Sequence, residues 1–289
     1  MRTLLFLIFS LPFATQAAVK AFEVGPGNTD QLPKGKEADG IIGDFILRND
    51  YVTAVISGNQ PLRRANMSTF YGTGGITPGC LYDLTLNKRQ NDQLTIFAPG
   101  SQRGNISHIR IARTGGSEAD AVAEIEVVVA AERNNGLYKK HVYRLDSMSR
   151  GVLITTTYRN DSKEARRGSV DDYWKPSGKR GTFQGVRWID AVDPDDRGSY
   201  AAVWVNDQRR NGIAPNPGSL SLNPGETATY TRFLAVANSP AAAVSEALVY
   251  ATSVKNLLAG ELKDHSGQPV NDATFEIRSG NETLPGYPV

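Results

Sequence analysis

"AVAEIEVVVAAERNNGLYKKHVYRLDSMSRGVLITTTY" spans residues 121–158 and decides the fold class. It holds three long runs rich in β-branched and aromatic residues: Ala121 to Ala131, Leu137 to Leu145 and Val152 to Tyr158. Asn134-Asn135-Gly136 separates the first two, and Ser147 to Gly151 separates the second and third. Asn-Gly and Ser/Gly punctuation between such runs is the pattern of consecutive antiparallel strands. Runs of nine or more residues exceed the usual strand of a small immunoglobulin-like domain.

Working outward, the same grammar continues on both sides. Upstream, Phe45 to Arg48 and Tyr51 to Ser57 flank Asn49-Asp50, two residues that tolerate positive φ and so predict a tight hairpin turn. Gly79 to Leu86, Leu94 to Phe97 and Ser107 to Arg113 follow as strands. Downstream come Gly185 to Val192, Tyr200 to Asn206 and, after the Pro-Gly turn "LNPGE" at 222–226, Ala228 to Val236. Long antiparallel strands over most of the chain predict a mainly β protein built as a large two-sheet sandwich.

One helix interrupts this. Ser239 is a good N-cap, Pro240 suits the first helical position, and Ala241 to Ser253 carries Val244, Leu248 and Ala251 on one stripe. Beyond it, Leu257 to Lys263 and Ala273 to Arg278 read as strands around the turn "DHSGQPV". The expected organisation is residues 18–238 as the large sandwich, 239–256 as a connecting helix and 257–289 as the start of a second, small sandwich.

The first 17 residues, MRTLLFLIFSLPFATQA, read as a secretory signal: Arg2 is the positive end, Leu4 to Phe13 the apolar stretch, and Thr15-Gln16-Ala17 the cleavage region. The apolar stretch is shorter than the roughly 20 residues a bilayer span needs, and no later segment reaches that length. The expected location is therefore secreted or periplasmic, without membrane insertion after signal removal. The formal net charge of +2 is close to balance. Arg63-Arg64, Arg166-Arg167, Lys175 to Arg180 and Arg209-Arg210 are basic clusters in polar stretches, read as solvated loops rather than a nucleic-acid surface. Cys80 is the only cysteine, so no intrachain disulfide forms, and it reads as a small buried hydrophobe in a strand.

Chemistry-bearing motifs are sparse. "GTGGITPG" (72–79) lacks the Gly-Lys-Ser/Thr ending of a phosphate loop and precedes a strand, which favours a loop or bend over nucleotide binding. His108, His141 and His265 are isolated from one another, with no zinc-binding spacing, and no G-x-S-x-G elbow occurs. "DAVDPDDRGSY" (190–200) offers Asp190, Asp193, Asp195 and Asp196 as oxygen ligands for Ca²⁺; it also reads as an ordinary turn whose Asp side chains hold backbone amides. Asp171-Asp172 is a carboxylate pair of the kind that performs acid–base hydrolysis when suitably separated. Trp188 and Trp204 lie in strand patterns and read as core, whereas Trp174, between Asp172 and "KPSGKR", reads as a loop residue able to stack on a ligand. The candidate ligand-binding set is Arg64, Asn66, Asp171, Asp172 and Trp174.

Two stretches resemble known families. "GELKDHSGQPVNDATFEIRSGNETL" (260–284) resembles the opening of carboxypeptidase regulatory-like domains through Gly260, Asp264, Gly267, Pro269, Val270 and Ala273. That resemblance implies a small, non-catalytic transthyretin-like sandwich. "KGKEADGIIGDFILRNDYVTAVI", "RRANMS", "GCLYDLT" and "NDQLTIFAPG", with "RLDSMSRGVLITTTYRN" further on, look like the N-terminal regions of large exported bacterial proteins. In those proteins a mutarotase-like supersandwich precedes a regulatory-like sandwich and then a PHP-type metallohydrolase domain. The resemblance implies a fold and a domain order for roughly residues 20–258 and carries over no catalytic residue. The expectation is an exported, non-catalytic module that binds or positions a substrate, with a glycan as the ligand class, or packs against a downstream hydrolase domain. The alternatives are a mutarotase- or lyase-like carbohydrate-active enzyme and a structural envelope protein.

Overall fold

In the computed structural model, residues 18–61, 63–64, 76–118, 120–175, 178–183, 185–192, 199–206, 218–252, 263–268, 277–279 and 282–284 are described. The signal-like residues 1–17 lie outside them, as do most residues of the regulatory-like resemblance. In chain order the first strands are β1 (Val19–Glu23), β2 (Phe45–Arg48), β3 (Val52–Ile56), β4 (Leu81–Leu86), β5 (Ile96–Ala98) and β6 (His108–Gly116). Next come β7 (Val122–Val129), β8 (Leu137–Asp146), β9 (Gly151–Asn160), β10 (Arg166–Ser169), β11 (Tyr173–Lys175) and β12 (Arg180–Phe183). The remainder are β13 (Val186–Val192), β14 (Ser199–Asn206), β15 (Ser219–Leu222), β16 (Thr227–Ala237), α1 (Pro240–Thr252), β17 (Ile277–Ser279) and β18 (Glu282–Leu284).

Fourteen strands join in one antiparallel sheet, ordered β11-β5-β4-β3-β2-β1-β6-β7-β8-β9-β16-β14-β13-β12. The sheet doubles over itself where β1 meets β6. There the pairing shrinks to Val19↔Gly116 and Lys20↔Gly115. Gly115 has φ +97°, and a Cβ there would lie 2.0 Å from the Val19 carbonyl oxygen, so the corner requires glycine. The two halves close over one apolar core. Leu47, Ile56, Leu84 and Phe97 come from one half, and Ile125, Tyr143, Ile154 and Leu234 from the other. Tyr143 and Tyr200 stitch the layers: their hydroxyls donate to the carbonyls of Gly79 (2.7 Å) and Leu84 (3.0 Å).

Alternation explains the central strands. In β8, residues 137, 139, 141, 143 and 145 are buried and the intervening ones partly exposed, as a period of two demands. The Asn134-Asn135-Gly136 turn enters β8 with Asn135 and Gly136 at φ +52° and +80°. The expected hairpin of β2 and β3 exists, but its turn is different. Asn49 pairs with Val52 across Asp50-Tyr51, and neither Asn49 nor Asp50 takes a positive φ. Instead the Asn49 side-chain oxygen accepts from the amides of Tyr51 and Val52, both at 2.8 Å, an Asx-type turn.

The helix starts where expected, with Val244 and Leu248 of its stripe buried; residues 253–256 lie outside the described residues. Ser239 Oγ accepts from the Ala242 amide, and Ala243, Val244, Ala247 and Leu248 are buried. They pack on the outer face of the sheet against Val186, Trp188, Ala201, Val203 and Phe233. A separate ribbon of β10 and β15 covers Leu137, Tyr158, Ala228 and Tyr230. Arg166 and Arg167 are therefore strand residues, not loop residues. Near the C-terminus, Asp264 Oδ1 accepts from the amides of Ser266 and Gln268, and Gly267 has φ +81°. Among the described residues no helix is long and apolar enough to cross a membrane.

Candidate functional site

Asp171, Asp172 and Trp174 precede or occupy β11, which pairs with β5 by the register Trp174↔Phe97. Trp174 is therefore not a loop residue. It is 9% exposed and meets Phe97 edge to face, with centroids 5.9 Å apart. Strand pairing buries its ring in the main core, where it is unavailable for stacking on a ligand. Trp188 and Trp204 are core residues as expected.

Asp172 is also corrected. Its side chain is 2% exposed and pairs with Arg232, which is 0% exposed, at 2.7 Å. The same carboxylate accepts from the Trp204 indole N–H (3.0 Å) and the Gly100 amide (2.8 Å). Four elements are joined through one residue, because a buried charge is tolerated only when paired and hydrogen-bonded. Asp171, beside it, accepts from the Gly218 amide (2.8 Å), while its carbonyl accepts from Ser101 Oγ. Both aspartates thus tie the β11 segment into the sandwich.

Arg232 continues this polar layer inward. Its Nη1 donates to Thr156 Oγ1 (2.7 Å), which also shares a hydrogen bond with His141 Nδ1 (2.9 Å). His141 is fully buried and its Nε2 has no protein partner. Burial, followed by the nearby Lys139 and Arg232 charges, holds the imidazole well below its ordinary pKa, so it is neutral. Lys139, two residues earlier on the same face, donates to Gln102 Oε1 (2.9 Å). Its ammonium is pushed down to about 8, chiefly by burial and next by Arg232. Sequence reasoning did not single out Arg232, Thr156 or Lys139. The signal was present: Ala228, Tyr230, Arg232, Leu234 and Val236 form one inward-facing register of β16, and Arg232 is its one charged member.

The carboxylates do not converge. Asp172 meets Arg232 on the inner face of the sheet, whereas Asp190 shares the outer-face register of Val186 and Trp188. Asp190, inside β13, is buried and its carboxylate accepts from the Lys179 amide just before β12. Its proposed Ca²⁺ partners Asp193, Asp195 and Asp196 lie outside the described residues. Among the described residues no three His, Cys, Asp or Glu side chains cluster as metal ligands. Cys80 is buried as expected, and desolvation pushes its thiol up to about 12.

A second buried network lies at the 35–44 segment. Asp83 accepts from the amides of Asp39 (3.0 Å) and Gly40 (2.9 Å), and Asp44 binds the Tyr82 hydroxyl and Arg63. Arg63 is thus an internal ion-pair partner rather than a solvated charge. Burial raises the Asp83 carboxyl well above the ordinary carboxylate range, and does the same to Asp92.

Arg64 behaves differently from Arg63. It is exposed, its backbone bridges Ile76, and it lines an open pocket of about 270 Å³. Arg133, Asn59, Gln60 and Asn105 supply the other polar walls, over a floor of Ile76, Pro78 and Ile106. Asn66 lies outside the described residues, so of the five candidates Arg64 alone is placed at a surface pocket. Another pocket, of about 590 Å³, lies by the β2–β3 turn, where Arg150 sits 5.3 Å over the Tyr51 ring and pairs with Glu246.

The fold and its polar groups define a large antiparallel β-sandwich with buried ion pairs such as Asp172–Arg232 and Asp44–Arg63 and a cationic pocket at one surface. No protein-family model matches the chain, and no curated protein does. Among solved structures, the galactosidase domain of the alpha-galactosidase-sucrose kinase AgaSK is similar at 13% identity and TM-score 0.41, covering 70% of this chain and 42% of that one. A TPR-domain containing protein from Parabacteroides distasonis is similar at 14% identity and TM-score 0.41, covering 88% and 60%. Heparan sulfate lyase HepC from Pedobacter heparinus is similar at 8% identity and TM-score 0.43, covering 71% and 36%. The chain therefore spans between about a third and three fifths of the length of these structures.

Proposed function

We propose that this chain is an exported, non-catalytic β-sandwich module that binds or positions a carbohydrate for a hydrolase domain carried elsewhere in a longer protein. The observation that carries the reading is the composition of the Arg64 pocket. Among the described residues, two guanidinium groups and three side-chain amides line it, with no carboxylate, imidazole, thiol or hydroxyl side chain. Such a set donates hydrogen bonds to sugar hydroxyls and ring substituents. Those described walls offer no general acid or base and no activated nucleophile. The aspartates that sequence reasoning offered for chemistry support the same reading, because Asp172 and Asp190 are engaged in the interior.

The test pairs binding with turnover. The signal-free chain is titrated calorimetrically with a panel of neutral and acidic oligosaccharides, and each mixture is then incubated and analysed by mass spectrometry. The expected result is measurable binding with no product. Product formation that disappears in a variant of one acidic residue would replace this reading with the lyase- or mutarotase-like enzyme. A domain order ending in a PHP-type metallohydrolase is part of the same proposal. It is tested by the coding sequence beyond residue 289, where clustered metal-binding histidines are expected.

A further inference from the structure

We infer that the Arg64 pocket recognises an acidic saccharide, with Arg64 and Arg133 gripping a carboxylate or sulfate on the sugar and the amide walls taking neighbouring hydroxyls. The inference rests on the carbohydrate reading above and narrows its substrate class.

Three observations point to an anion. First, Arg64 and Arg133 approach the pocket from separate parts of the chain, one at the bridge to Ile76 and one at the end of the turn Ala131–Arg133. Two like charges on one small pocket raise each other's cost unless an opposite charge joins them. Second, neither has a carboxylate partner among the described residues. Arg133 spends only Nη1, on the Ile106 carbonyl at 3.3 Å, and the rest of its planar donor fork is available. Third, the walls are fixed rather than floppy. The Asn105 amide donates to the Arg133 carbonyl (2.9 Å) and the Gln60 amide to the Ile42 carbonyl (2.6 Å). These bonds leave the side-chain oxygens of Asn105 and Gln60 to accept from sugar hydroxyls. The volume of about 270 Å³ suits a single ring with its charged substituent, not a chain buried end to end. The apolar floor of Ile76, Pro78 and Ile106 suits the C–H face of that ring.

The pocket by Tyr51, lined by Lys88, Arg89 and Arg150, makes the weaker case: Asp50 stands on the same wall and Arg150 pairs with Glu246.

Calorimetry on the signal-free chain tests the inference with four probes: an oligogalacturonate, a sulfated glycosaminoglycan oligosaccharide, a neutral cello-oligosaccharide and sodium sulfate alone. Variants are Arg64→Gln, Arg133→Gln and, as a control on β6 outside the pocket, Arg113→Gln. At least one acidic oligosaccharide is expected to bind at least tenfold tighter than the neutral one. Each pocket variant should weaken it about tenfold or more and flatten its salt dependence, with the control unchanged. Equal binding of neutral and acidic sugars, indifferent to both pocket variants, overturns the acidic specificity and leaves the carbohydrate reading standing. Sodium sulfate binding as tightly as the oligosaccharides overturns the saccharide part and leaves a simple anion site. Absence of binding by every sugar overturns both. Circular dichroism of the variants keeps the test valid, since Arg64 and Arg133 are exposed and their replacement leaves the core intact.

Discussion

Replacing Asp172 with alanine separates a structural carboxylate from a catalytic one. The substitution strands Arg232, whose side chain is 0% exposed, without its counter-ion. Breaking a buried pair by removing one partner costs about 3–5 kcal/mol. The Trp204 indole N–H and the Gly100 amide lose their acceptor as well, each adding up to about 1–3 kcal/mol where water does not replace it. Allowing for relaxation, the expected loss is about 5 kcal/mol. For a domain of this size, each kcal/mol moves Tm by about 2–4 °C, which gives a fall of roughly 10–20 °C. The double variant Asp172→Leu with Arg232→Met removes both charges and should recover most of that loss, because a buried pair replaced by apolar residues is often near neutral. Thermal unfolding followed by circular dichroism, with urea titration for the free energies, completes a double-mutant cycle. A Tm for Asp172→Ala within 3 °C of the parent would refute the reasoning. An exposed functional aspartate gives that result, since surface substitutions usually stay within about 0.5 kcal/mol.

Other outcomes follow from the same interior. Burial keeps His141 neutral in the folded state, with its pKa well below the unfolded value of about 6.5. As pH falls below that value the unfolded chain takes up a proton that the native state refuses, so stability drops. Relative to His141→Gln, the parent should lose about 1 kcal/mol between pH 6 and pH 5 in urea titrations, and parallel curves would count against a buried neutral imidazole. Trp174→Ala should cost about 3–5 kcal/mol by urea unfolding, and a loss under 0.5 kcal/mol would place the ring outside the core. Asn49→Ala removes the acceptor of the Tyr51 and Val52 amides and the donor to the Asp146 and Ser149 carbonyls. Its expected cost is about 2–3 kcal/mol, and an unchanged Tm would show that the turn holds without this side chain.

Much of the architecture is legible in the residues. The long strands β7, β8, β9, β13, β14 and β16 and the helix α1 are marked by runs of β-branched residues, by Asn-Gly or Pro-Gly punctuation, and by the Ser-Pro start of the helix. Several short strands are not. Tyr173–Lys175 and Arg180–Phe183 carry too few residues to display a period, and they are strands because distant partners pair with them. Val19–Glu23 went unread beside the signal-like segment and is fixed by its pairing with β2. The hairpin at Asn49 was correct in its strands and off by one residue in its turn, since an Asx turn and a positive-φ turn draw on the same residue types.

The candidate site divides in the same way. Its residue types were visible: a pair of aspartates, a tryptophan among polar neighbours and an arginine pair at 63–64. Which of them face water was not, because exposure depends on what lies across the sandwich. Arg63 and Arg64 are adjacent and alike in chemistry. One is drawn inward by Asp44 and Tyr82, and the other is left at a pocket with Arg133. Asp172 and Arg232 are 60 residues apart, a separation that no local pattern spans. The sequence by itself determined the β class, the long strands and the helix, because those depend on local propensity and period. Only the tertiary structure decided which charges became internal struts and which stayed at the surface, because burial and ion pairing are set by contacts between distant segments.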